Sequence, residues 1–172
     1  MKRLIAWDVA YAIDMAIACW LSYTVAVWVL APFTHLDDDL LGGMWATVAT
    51  IFVFRDSRVR SWMAGLERLL ATTISFALCL PWLLFLPATP LALGLLIGAG
   101  SLLLMLLNRR DDIVTTGITT AVVLGVAMMV PEHAWEQPVL RFIDTFVGIT
   151  IGICCKWVAS YAFYRIKGGM VR

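Results

Sequence analysis

The chain has 172 residues, 62% of them hydrophobic and 15% charged, with a mean hydropathy of +0.88 and a formal net charge of +1. So apolar a composition excludes a soluble globular domain and requires lipid as the solvent. At about 20 residues per helical crossing of a ~30 Å hydrocarbon core, the length admits about six crossings with short loops and leaves no room for a folded soluble domain.

Apolar segments at 9–32, 41–55, 66–87, 90–107, 113–131 and 139–164 are predicted as helices. Lys2 and Arg3 precede the first in the manner of a signal peptide, but the run is too long and lacks a small-x-small cleavage site, so it is expected to be retained. It carries Asp14 about a turn and a half inside, and Trp20 near its middle, where interfacial anchoring does not account for an indole. The second segment is short for a crossing and is expected to survive by packing on protein. Residues 58–67 are expected to continue as an interfacial helix with Trp62 at the headgroups. The third segment opens with Arg68, the fifth carries Thr115, Thr116, Thr119 and Thr120, and the sixth opens with Arg141 and Asp144 and holds Lys156 farther on. Cys19, Cys79, Cys154 and Cys155 lie in apolar surroundings with no CxxC pair and read as small buried residues.

The loops separate by sign. Lys2, Arg3, Arg55, Arg58, Arg60, Arg109, Arg110, Arg165, Lys167 and Arg172 fall on one side, and Asp37, Asp38, Asp39, Glu132 and Glu136 on the other. The positive-inside rule then makes both termini cytoplasmic, in a multi-pass protein of a bacterial inner membrane. Trp28, Trp82 and Trp135 near the outer boundary, with Trp7 and Trp62 near the inner one, fit aromatic belts. His35 with the aspartates, and His133 with the two glutamates, offer cation ligands, but such loops are ordinarily solvated and neither has a calcium-loop pattern. No metal is expected.

Three helices per repeat turn a second copy upside down relative to the first. The expected fold is an all-α integral membrane domain spanning 1–172, built as two three-helix inverted-topology repeats, 1–88 and 89–172. Arg68 then stands at the cytoplasmic end of the third helix and Arg141 at the outer end of the sixth. Helical spacing puts Arg68, Thr72, Ser75 and Cys79 on one stripe, and Arg141, Thr145, Gly148 and Gly152 on the other. Gly148-x-x-x-Gly152 has the spacing that lets a second helix approach closely. Thr47 and Thr50 echo Thr116 and Thr119 more weakly.

Trp45-Ala46-Thr47 ahead of Arg68, and Arg141-x-x-Asp144-Thr145-x-x-Gly148, resemble the fusaric acid resistance-like (FUSC) and aromatic acid exporter superfamily over essentially the whole chain. Its membrane modules have a Trp-containing second helix followed by an Arg-x-x-Gly-Thr-x-x-Gly third helix. Ala71 and Ser75 replace the usual glycines in the first copy, which puts close backbone approach there in doubt. Larger members of the superfamily join two modules in one chain and some work with a periplasmic adaptor; the related plant malate channels imply a dimer around an anion path. The resemblance therefore implies a homodimer of twelve helices, with a periplasmic adaptor as a further partner.

Two readings stay open for Arg68 and Arg141. They attract and bind a carboxylate by bidentate hydrogen bonds, or they snorkel to headgroups or neutralise an acidic neighbour. Thr72 and Thr145 share their stripes and are candidate substrate contacts, as is Trp20, whose ordinary role would be packing or lipid contact. Asp14 and Asp144 are candidates for proton coupling; the structural alternatives are ion pairs, Asp144 with Arg141 at i, i+3 and Asp14 with Arg68. The threonines of the fifth helix could line a polar path, although hydroxyls bonded to their own helix are the commoner outcome. No phosphate loop, nucleophile elbow or metalloprotease helix occurs, so no enzymatic activity, cofactor or nucleic-acid partner is expected. The expected function is export of small organic anions, aromatic carboxylates among them, with the two arginines at opposite mouths. The alternatives are a passive dimeric anion channel and a non-transporting membrane subunit that scaffolds or regulates a larger complex.

Overall fold

A computed structural model describes residues 6–30, 36–55 and 57–169, with side chains for 8–28, 40–55 and 57–161. Lys2, Arg3, His35 and Arg172 lie outside the described residues, as do the side chains of Trp7, Asp37, Asp38, Asp39, Arg165 and Lys167.

The described residues form six α-helices and two single 3-10 turns, with no strand among them: α1 (Ala6–Leu30), α2 (Leu36–Val53), α3 (Arg58–Phe85), α4 (Pro90–Leu106), α5 (Ile113–Met129) and α6 (Glu136–Gly169). Four apolar stretches are long enough to cross a membrane: Asp8–Trp28, Arg58–Phe85, Arg110–Met129 and Glu136–Tyr161. The other two helices hold the shorter runs Leu40–Val53 and Pro90–Leu106. Residues 58–67, expected as an interfacial helix, are the first turns of α3 itself. Ser57 starts it, its Oγ accepting from the Arg60 amide at 3.3 Å. Thr89 caps α4 in the same way, accepting from the Ala92 amide at 3.1 Å, with Pro90 in the first turn where no N–H is needed. Asn108, at φ 56°, closes α4 by letting the Arg109 amide donate back to Leu104 O at 2.8 Å.

The helices sort into two contact units, Met1–Gly65 with Phe146–Arg172, and Leu66–Thr145. In the first, α1 packs on α2, and α2 on α6. A Cβ on Gly148 would fall on the carbonyl oxygen of Ala46 and lie 2.8 Å from Ala49 Cβ, so the absent side chain is what permits the approach. Thr50 Oγ1 donates to Gly148 O at 2.9 Å across the same contact. In the second unit, α4 packs on α5, and Cys79, Leu83, Leu96, Val123, Leu124 and Ala127 form an apolar core.

Candidate functional site

The second unit is rich in buried polar side chains. Arg68, Thr72 and Ser75 of α3, Thr116, Thr119 and Thr120 of α5, and Gln137, Arg141, Asp144 and Thr145 of α6 are all buried, Arg68 at 2% exposure and Arg141 at 0%. These are the two largest fully buried side chains among the described residues. The snorkelling reading therefore fails for both: long cations that reach headgroups would leave exposed atoms. Because α3 begins at Arg58, Arg68 lies about 15 Å along its axis, deeper than a helix starting at 66 would put it. The Phe76 and Phe142 rings meet at 5.5 Å between centroids. That register sets Arg141 level with Phe76, about 12 Å along α3 from Arg68.

The two arginine motifs share a local geometry. Thr72 Oγ1 donates to Arg68 O at 2.9 Å and Thr145 Oγ1 to Arg141 O at 2.7 Å. Each hydroxyl has one proton, and here it is turned to the arginine's own carbonyl. Ser75 and Thr120 satisfy each other at 3.0 Å. Thr119 bonds its own helix at Thr115 O, as expected, whereas the buried hydroxyl of Thr116 has no hydrogen-bond partner among the described residues. Thr116 is thus a buried hydroxyl whose proton is uncommitted among the described residues.

Arg141 Nη1 lies 3.0 Å from Asp144 Oδ2, the ion pair that i, i+3 spacing predicts. Gln137, whose position four residues before Arg141 on the same stripe is its one sequence signal, is 0% exposed. Asp112 is also buried and accepts from Arg109 Nε at 2.8 Å. That bond, and then the carboxylate charge, hold the Arg109 guanidinium above the ordinary arginine value.

The remaining candidates lie in the first unit. Asp14 is partly buried, and the cation that acts on it electrostatically is Lys156. Lys156 Nζ sits 4.6 Å from the Tyr11 ring centre and 4.8 Å from that of Phe54, within cation–π range. Trp20 is 66% exposed, an orientation suited to lipid or another chain. At the end of the second unit, His133 Nδ1 and Glu136 Oε1 are 3.0 Å apart, and no cluster of metal-ligating side chains occurs among the described residues.

Apolar helices long enough to cross a membrane, together with cations withdrawn into a helical interior, define a multi-pass helical membrane protein. The fusaric acid resistance protein-like family matches residues 17–155. The chain belongs to that family, in agreement with the resemblance carried by Trp45-Ala46-Thr47 and by the Arg141 motif, and membership points to a role in membrane transport. No curated protein and no solved structure matches the chain.

Proposed function

We propose that the protein exports small organic anions, aromatic carboxylates among them, and that Arg68 and Arg141 attract the anion in succession along the buried polar seam. The burial of both guanidinium groups carries the reading, since a cation withdrawn from water and lipid needs an interior use. A carboxylate drawn to Arg68 exchanges its water for the guanidinium fork. Two helical turns on, it competes with Asp144 for Arg141. Protonating Asp144 removes that competitor, which makes this pair a place where proton and anion exchange. Asp14, facing the charge of Lys156, is the second coupling candidate.

The proposed architecture is the inverted repeat of 1–88 and 89–172, in an inner-membrane homodimer with cytoplasmic termini. The recurrence of Arg-x-x-x-Thr at Arg68-Thr72 and Arg141-Thr145 supports it. So does the make-up of the units: one holds α1, α2 and the long part of α6, the other α4, α5 and the long part of α3. Exchanging each helix for its counterpart exchanges the units.

Flux of a panel of aromatic and aliphatic carboxylates into proteoliposomes tests the reading. Arg68→Ala and Arg141→Ala are each expected to lower flux at least about tenfold, the value of one lost charge-assisted pair. A folded double variant that transports as the parent does overturns it. Flux that follows voltage without needing a proton gradient, and is indifferent to Asp144→Asn, identifies a passive channel. No flux under either gradient identifies a non-transporting subunit.

A further inference from the structure

We infer that the start of α3 and the Trp157–Ser160 turn of α6 form a binding site for the phosphate headgroup of an acidic phospholipid, built on Arg58. The first turns of α3 lie along α6: a Cβ on Gly65 would stand 3.0 Å from Ile153 Cδ1 and 3.1 Å from Ile149 Cγ2. Farther toward the start of α3, Arg58 Nε donates to Ser160 Oγ at 2.7 Å, and the guanidinium carbon lies 5.5 Å from the centre of the Trp157 ring. One N–H is thereby committed and the guanidinium is held against the indole. Among the described residues nothing else bonds the two terminal nitrogens, whose four N–H groups form the fork that matches a phosphate. Holding the group in advance reduces the rotamer freedom lost on binding.

The surroundings select a lipid over a soluble phosphate. Arg55 and Arg60 add exposed cations beside Arg58, while Val59, Trp62, Trp157 and Tyr161 are half or more exposed. The sequence of α6 turns basic at Arg165 and Lys167, and α3 begins at Arg58, so these rings stand toward headgroup depth with an apolar surface for acyl chains beneath them. Positive charge at this level attracts anionic lipid wherever it occurs. The clamp by Ser160 and Trp157 is what makes Arg58 a site, and Arg110, an exposed arginine with no such clamp among the described residues, is the control.

The test uses the full chain in detergent, titrated with phosphatidylglycerol, phosphatidylcholine or glycerol phosphate, with bound lipid counted by native mass spectrometry. The parent is expected to retain phosphatidylglycerol over phosphatidylcholine and to ignore glycerol phosphate. Arg58→Gln is expected to weaken phosphatidylglycerol about tenfold, and Trp157→Leu several-fold with every charge kept. Arg110→Gln is expected to leave it unchanged. Equal loss in Arg110→Gln means diffuse attraction only and overturns the proposal. Parent-like affinity in Trp157→Leu, or glycerol phosphate bound as tightly as the lipid, does the same. Should Arg58→Gln fail to fold, Trp157→Leu and Ser160→Ala decide.

Discussion

Replacing Gly148 by alanine tests the closest helix contact in the first unit. The new methyl would fall on Ala46 O and lie 2.8 Å from Ala49 Cβ and 2.9 Å from the Ala46 carbonyl carbon. The atoms in the way include backbone, so no rotamer change relieves the clash and α2 must move. Overpacking of this kind costs about 1–3 kcal/mol. Retreat of α2 also stretches the 2.9 Å bond from Thr50 Oγ1 to Gly148 O, worth about 1 kcal/mol more. A loss of about 3 kcal/mol corresponds to a melting temperature lower by roughly 6–12 °C at this chain length. The assay is thermal unfolding of purified protein in one detergent, with Gly98→Ala as the matched control. A Cβ at Gly98 meets nothing within 4 Å, so that variant should match the parent or gain up to about 1 kcal/mol from helix propensity. Gly148→Ala melting within about 2 °C of the parent, or Gly98→Ala falling as far, would refute the packing argument.

Asp144→Asn leaves Arg141 buried beside a neutral amide and should destabilise by about 3–5 kcal/mol, with Arg141→Met in the same chain restoring most of the loss in a thermal melt. Thr50→Val keeps the volume but removes the one hydroxyl proton that Ala46 O and Gly148 O share, and should cost about 1 kcal/mol by the same measurement. At Asn108, valine should cost about 1–2 kcal/mol because of the left-handed backbone and glycine should cost nothing; equal melting of the two variants would deny that the turn depends on φ.

Much of the helical order is legible from apolar runs, because a span must be long and nearly uncharged. The start of α3 is not. Arg58 and Arg60 break the apolar run at 58–67, yet intrahelical bonding continues through a mixed face, so the helix begins eight residues earlier than the hydropathy does. The Arg141–Asp144 pair is legible because both partners sit on one helix at a fixed offset. Spacing along a single helix does not reveal the depth of Arg68, since burial depends on which helices surround it. Thr120 was expected to bond its own backbone and instead meets Ser75, a partner 45 residues away that only packing selects. Ser160 holding Arg58 across 102 residues is hidden for the same reason.

The unequal company of the two arginines bears on how the chain enters the bilayer. Arg141 has Asp144 one turn away on its own helix, so that segment can neutralise its cation before any other helix arrives. Around Arg68, the positions three and four residues away are Ala64, Gly65, Ala71 and Thr72, none of them acidic. An arginine near the centre of an inserting helix carries a penalty of about 2.5–3.5 kcal/mol on the translocon scale. The α3 segment is therefore expected to partition into lipid less readily by itself than α6, and to depend on its neighbours during biogenesis.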